Sequence, residues 1–171
     1  RLLKRTKLSR YEVELENDPT LIPLYVDFCE RILSSSSPTN RIDCLRIAIA
    51  IDQALRNALY RGNLEIDSDY SVQSLVDANS LDQMPRFVRD RFTQEPYKSR
   101  KINSVIEIKP SGFVIRISDE GPGFDTSNVG DLSQLSTRGT NLMTAFMDSV
   151  EYNNSGNEVL MKYRFDRSKA S

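Results

Sequence analysis

The chain of 171 residues contains no histidine and only two cysteines, Cys29 and Cys44. Without histidine, these residues supply no histidine general base, no histidine-containing triad, no histidine zinc ligand and no phospho-accepting histidine. The cysteines lie in separate helix-like patterns and lack the paired spacing of a metal or redox motif. We therefore expect both to be buried, reduced thiols, as in a cytoplasmic protein.

Strong charge of one sign and long apolar runs are also missing. The net charge is −1, so no overall field attracts nucleic acid. The longest uninterrupted apolar run, Ile47–Ile51, is far too short to cross a bilayer. We expect no nucleic-acid partner and no membrane partner. An apolar fraction of 39% and a charged fraction of 27% are typical of a globular domain.

Local patterns divide the chain into one domain with short extensions. The basic residues 1–10 are predicted to be a linker from an upstream domain, and residues 167–171 a tail. Residues 11–166 form the predicted domain. Within it, residues 64–100 mix acidic, basic and aromatic residues and are predicted to be a helical insertion.

Short strands joined by turns outnumber helices in the domain. Alternating apolar residues predict a strand at 11–16, and runs that flank turn signals predict strands at 102–108, 113–118, 150–153 and 158–165. Helical spacing predicts a helix from Pro19, a second from Thr39 or Asn40 to about Tyr60 with Gly62 as its stop, and a third at 141–147. This order predicts an α+β fold: a two-layer sandwich with a mixed, mostly antiparallel sheet and helices on one face.

The sequence Asp119-Glu-Gly-Pro-Gly123 follows one of the predicted strands. Gly121 and Gly123 allow a close backbone approach to a ligand, and Pro122 stiffens the turn between them. Asp119 could then accept a hydrogen bond from an amino group in a pocket. Taken alone, the motif is more typical of a tight acidic surface loop.

Polar residues also recur at helical spacing on the second predicted helix. Gln53, Asn57 and Arg61 stand four residues apart and so share one face. Asp52 is displaced by about 100° from Gln53, and it is predicted to pair with Arg56 four residues later. Such a face is often only the solvated side of a helix.

Three segments resemble, in the correct order, the motifs of Bergerat-fold (GHKL) ATPases, a superfamily that includes histidine-kinase catalytic domains, gyrase and heat-shock chaperones. Residues 49–63 resemble the N box, residues 119–124 the first glycine box and residues 137–148 the second. The end of the last box and the hairpin after it are most similar to the anti-sigma serine-kinase branch. Three boxes in order make the resemblance specific, and it implies the Bergerat ATP-binding fold.

The resemblance implies ATP and Mg²⁺ as cofactors. Asn57 would hold Mg²⁺ together with the triphosphate through its amide oxygen, which is a suitable ligand for this ion. Asp119 would accept the adenine amine, and residues 126–137 would form the lid over the nucleotide. The other residues implied to bind ATP are Arg61, Gly121, Gly123, Arg138, Gly139 and Thr140.

Two positions depart from the family pattern. Gln53 stands where the family has a catalytic Glu, and Thr137 stands where a further glycine is common. Glutamine cannot accept a proton, and Asp52 is predicted to point elsewhere. The resemblance therefore implies an ATP-binding regulatory domain with weak or no catalysis, whose partner is a sigma factor or an anti-anti-sigma-like protein.

Two alternatives stay open. The domain could be an active serine/threonine protein kinase acting on an anti-anti-sigma-like partner, because phosphoryl transfer depends largely on positioning and electrostatics. It could also be the catalytic-type domain of a signalling kinase. A homodimer is compatible with either alternative.

Overall fold

The computed structural model describes residues 8–36, 40–66, 75, 81–126 and 138–165. The strands are β1 (Ser9–Glu16), β2 (Lys101–Lys109), β3 (Gly112–Asp119), β4 (Ser149–Tyr152) and β5 (Glu158–Arg164). The α-helices are α1 (Leu21–Ser36), α2 (Arg41–Arg56), α3 (Arg86–Thr93) and α4 (Arg138–Phe146). A π-helix, Asn57–Asn63, continues α2, and two 3₁₀ turns, Leu81–Gln83 and Tyr97–Ser99, flank α3.

The five strands form one sheet in the order β1-β2-β3-β5-β4. Every described pairing is antiparallel, so the sheet that was expected to be mixed and mostly antiparallel has no parallel pair in the described residues. Side chains alternate along each strand, and one face of the sheet is buried, as Ile106 and Ile115 illustrate. Ile22 of α1 and Ile51 of α2 belong to the same buried cluster. The predicted α+β architecture is confirmed.

The helix starts show how local side chains set the boundaries. The Asn40 side chain accepts a hydrogen bond from the Asp43 backbone N–H at 2.8 Å, which confirms one of the two predicted caps. The predicted start of α1 at Pro19 is wrong by two residues. The Asp18 carboxylate accepts hydrogen bonds from the Thr20 N–H at 2.9 Å and hydroxyl at 2.7 Å, and the resulting turn delays the helix to Leu21.

The second helix does not stop near Tyr60. It widens into the π-helix, in which the Leu64 N–H donates to the Leu59 carbonyl, five residues earlier, at 2.9 Å. Gly62 therefore lies inside the helix, and the prediction that it ends the helix is wrong. The chain leaves the helical path at Glu65, whose φ is 50°.

The described part of the insertion packs against the end of this π-helix. The guanidinium groups of Arg91 and Arg100 lie 4.8 Å and 5.2 Å from the centre of the Tyr97 ring. Arg100 donates to the carbonyl of Asn63, the last residue of the π-helix, at 2.7 Å and forms an ion pair with Glu65 at 2.7 Å. Among the described residues, no helix is long and apolar enough to cross a membrane.

Candidate functional site

The end of β3 and the π-helix approach each other most closely at two glycines. A Cβ atom on Gly62 would lie 2.2 Å from the Asp119 side-chain Cγ. A Cβ atom on Gly121 would lie 2.2 Å from the Gly62 carbonyl oxygen. A side chain at either position would force the neighbouring group to move, so glycine is needed to keep this arrangement. The helix backbone is therefore pressed directly against the Asp119 carboxylate.

The Asp119 carboxylate is half-buried and has few donors around it. Its Oδ1 accepts a hydrogen bond from the Gly121 N–H at 2.9 Å, and no other described residue donates to this carboxylate. Burial raises the pKa of Asp119 from 3.8 to about 6, while the Gly121 hydrogen bond and the charge of Arg100 oppose the rise. A poorly solvated carboxylate of this kind favours a ligand that brings a hydrogen-bond donor.

The raised pKa predicts how Asp119 affects stability. The Asp119 carboxyl group binds its proton more tightly in the folded protein than in the unfolded chain. Protonation of Asp119 therefore contributes fully to the free energy of unfolding below the unfolded pKa of 3.8, and this contribution is lost as the pH rises through the folded pKa of about 6. A shift of this size corresponds to about 3 kcal/mol. We expect Asp119→Asn to stabilise the nucleotide-free protein by about 1–3 kcal/mol near neutral pH, and the gain to vanish near pH 4.

Urea unfolding of both proteins at the two pH values measures this difference. Asp82→Asn is the matched control, because the Asp82 side chain is 94% exposed and its substitution should change the free energy of unfolding little. If Asp119→Asn is less stable than the parent at neutral pH, the carboxylate already has enough hydrogen-bond donors in the nucleotide-free protein.

Asn63, the last residue of the π-helix, is fully buried and ties three segments together. Its Nδ2 donates to the Asn17 side-chain oxygen at 2.7 Å and to the Lys101 carbonyl at 3.0 Å. Its Oδ1 accepts from the Glu120 N–H at 2.8 Å. The sequence analysis missed both Gly62 and Asn63 as parts of the site. The signal that could have revealed Asn63 is a polar residue placed directly before the buried Leu64.

The glycine turn after Asp119 is held by the hairpin between β4 and β5. Gly123 has a φ of 74°, and a Cβ atom there would lie 1.8 Å from the Ser155 carbonyl oxygen. The ring of Phe124 packs edge-on against Tyr152 with 5.1 Å between their centres. The conformation of Gly123 therefore fixes the turn against the hairpin.

The polar side chains of α2 make more contacts with one another than the sequence predicts. Arg56 Nε donates to Asp52 Oδ2 at 2.6 Å, which confirms the predicted pair. The prediction that Asp52 points away from Gln53 needs correction, because Gln53 Nε2 lies 3.5 Å from the same oxygen. The flexible glutamine side chain spans the angle that separates the two residues on the helix.

Asn57 and Arg61 have different surroundings in the π-helix. Asn57 is half-buried, and its side-chain amide makes no hydrogen bond to any described residue. Arg61 donates from a terminal guanidinium nitrogen to the Ile66 carbonyl at 2.9 Å, which ties it to the end of the helix. In the described ranges, no group of three or more Cys, Asp or Glu side chains is arranged to hold a metal ion.

The second predicted glycine box is described only in part. The helix predicted at 141–147 spans Arg138–Phe146, so it begins three residues earlier than predicted, and its Met143 is buried. The side chains of Arg138 and Thr140 lie outside what the structure describes, as do residues 127–137, which make up nearly all of the predicted lid.

Comparison with known protein families gives a match that covers most of the chain. A family model described as a histidine kinase-like ATPase domain matches residues 15–163. This range includes Gln53, Asn57, Asp119 and the start of α4, and it includes the insertion. No curated protein matches the chain.

Proposed function

The chain belongs to the family of histidine kinase-like ATPase domains, and we propose that it is an ATP-binding regulatory domain resembling the anti-sigma serine kinases, with weak or no phosphoryl transfer. We also propose that ATP binding switches its contact with a protein partner in the cytoplasm, either a sigma factor or an anti-anti-sigma-like protein.

The observation that carries ATP binding is the Asp119 carboxylate, held between Gly62 and Gly121 with a single described donor. Adenine presents an exocyclic amine, which can donate to this carboxylate. Guanine presents a carbonyl oxygen at the corresponding edge, and that oxygen would be repelled by the carboxylate. The Asp119 carboxylate therefore favours adenine nucleotides.

The residues at the start of the π-helix fit a Mg²⁺ ion that arrives with the triphosphate. Asn57 offers an amide oxygen that no described residue uses, and this hard oxygen ligand suits Mg²⁺. When bound, Mg²⁺ neutralises charge on the phosphates. Asn57 would orient the ion and the triphosphate relative to Gln53, one helical turn earlier.

Weak catalysis is proposed because Gln53 faces this position with an amide. An amide can orient a water molecule or a hydroxyl group, but it cannot take the proton of the attacking nucleophile. The neighbouring carboxylate of Asp52 is engaged with Arg56 at 2.6 Å. ATP would therefore stay bound without being turned over, and the bound ATP would keep the domain in one conformation.

Titration calorimetry with Mg·ATP and Mg·GTP tests the proposal. We expect tighter binding of ATP, and we expect Asp119→Ala to weaken ATP binding by about 10–100-fold, because a charged hydrogen bond contributes about 1.5–3 kcal/mol. GTP binding should change much less.

Asp82→Ala serves as the matched control, since it removes a carboxylate that is 94% exposed in the insertion. It should bind ATP as the parent does. Equal ATP affinity in Asp119→Ala and the parent would remove Asp119 from the adenine site.

One observation favours an active serine/threonine kinase as the second candidate. Asp52 lies within 3.5 Å of the Gln53 amide, so a carboxylate does stand next to the position of the family Glu. In this alternative, the Asp52 carboxylate would separate from Arg56 when the partner protein binds, and it would then accept the proton of the nucleophile. Transfer of phosphate from ATP to a serine-bearing partner, lost in Asp52→Asn, would support it.

A further inference from the structure

We propose that Asn63 is a specificity-positioning residue, which holds Asp119 in place for adenine, an inference that rests on the proposed function. Asn63 does not itself face the nucleotide in this assignment. It acts through the turn Asp119-Glu120-Gly121, and its effect is to fix where the carboxylate of Asp119 lies relative to Gly62.

The side chain of Asn63 uses both ends of its amide. The Nδ2 group donates one hydrogen to Asn17 and the other to the Lys101 carbonyl, and Oδ1 accepts from the Glu120 N–H. Reversing the amide would oppose donor to donor at Glu120 and acceptor to acceptor at Lys101. The three partners therefore fix one orientation of a fully buried group.

The Glu120 N–H connects this amide to the carboxylate. Glu120 lies between Asp119 and Gly121, and the Gly121 N–H donates to Asp119 Oδ1 at 2.9 Å. If Oδ1 of Asn63 is removed, the Glu120 N–H loses its acceptor and the turn loses its anchor to the π-helix. Gly121 and Asp119 can then move away from Gly62 together.

A chain of hydrogen bonds also runs from Asn63 to the insertion. Asn17 accepts from Asn63 and donates through its own Nδ2 to the Tyr97 carbonyl at 2.7 Å. Arg100 donates to the Asn63 carbonyl at 2.7 Å. The insertion therefore supports Asn63 from two sides, so the position of Asp119 depends on a segment outside the three sequence boxes.

The test compares Asn63→Ala with Ser104→Ala. Ser104, on β2, is a second fully buried polar residue, and its hydroxyl accepts from Tyr25 of α1 at 2.8 Å. Both variants should lower the unfolding midpoint. Only Asn63→Ala should reduce the preference for Mg·ATP over Mg·GTP in calorimetry, by at least about fivefold.

A second measurement needs no nucleotide. Hydrogen exchange should show that Asn63→Ala accelerates exchange of the Gly121 amide by about tenfold or more, relative to the amide of Ile115 in the centre of β3. Ser104→Ala should accelerate both amides alike. Asn17→Ala removes only one partner of Asn63, so it should lower the ATP preference and accelerate Gly121 exchange in the same selective way, but by less. This variant provides the test if Asn63→Ala does not fold.

The two measurements separate failure of the inference from failure of the proposed function. A parent that binds neither nucleotide would overturn the proposed function, and with it the role of Asn63 in adenine selectivity. If the parent prefers ATP, but Asn63→Ala and Asn17→Ala keep that preference and show no selective exchange at Gly121, Asn63 is a structural residue only.

Discussion

Replacing Gln53 with glutamate is expected to raise ATP turnover by at least about tenfold, because general-base assistance contributes roughly 10²–10⁴-fold in enzymes. Glutamate keeps nearly the shape of glutamine and restores a group that accepts a proton. In the proposed function, the parent binds ATP and turns it over barely above background. Replacing the side-chain NH₂ group of Gln53 with an oxygen would then add catalysis to a domain that already binds ATP.

The surroundings of Gln53 support this expectation. A glutamate at this position would lie near the Asp52 carboxylate, whose Oδ2 is 3.5 Å from the present amide nitrogen. A nearby like charge raises the pKa of a carboxyl group, and general bases work best with a pKa near the working pH. Arg56, paired with Asp52, limits the repulsion that the new charge would meet.

Phosphate release from Mg·ATP, and transfer of the terminal phosphate to a serine-bearing partner, are the measurements. Asp52→Asn in the parent is the control and should change little, because the Asp52 carboxylate is engaged with Arg56 at 2.6 Å and is not the proposed base. If the parent already phosphorylates its partner efficiently and Asp52→Asn abolishes the transfer, the domain is a working kinase and Asp52 is its base.

The fold was predictable because its signals are local. Alternation fixed the five strands to within two residues at each end, and Pro110-Ser111-Gly112 marked the β2–β3 hairpin. Asn40 could be identified as a cap because its preference for that position depends on neighbouring backbone N–H groups. Asp119 ends β3 as expected from the glycines that follow it.

The packing of the site was less predictable, because it depends on contacts between distant segments. A glycine near a helix end normally indicates a stop, and nothing around Gly62 reveals that β3 approaches it there. The buried amide of Asn63 likewise has partners just after β1, at the start of β2 and just after β3, which no local pattern connects. The distance between Gln53 and Asp52 depends on a rotamer, which periodicity does not specify.

Gly62 leads to the second large expected effect: Gly62→Ala should lower the affinity for Mg·ATP by about 10–100-fold, as much as removing the Asp119 carboxylate itself. The added Cβ atom would lie 2.2–2.4 Å from three atoms of the Asp119 carboxylate. Either the carboxylate rotates out of its position or the π-helix moves away from β3. Both movements displace the proposed acceptor of the adenine amine.

The sign of the change in the free energy of unfolding shows whether Gly62 is in contact with Asp119 or lies at an open position of the helix. In an open helix, replacing glycine with alanine stabilises the protein by about 0.5–1 kcal/mol, whereas the contact with Asp119 predicts destabilisation here. Gly112→Ala is the matched control, because its Cβ atom would lie 2.6 Å from the Tyr163 carbonyl at the opposite end of β3. It should destabilise the fold and leave the affinity of the folded protein for ATP near that of the parent. A Gly62→Ala protein that is more stable than the parent and binds ATP equally well would show that the π-helix does not press on Asp119.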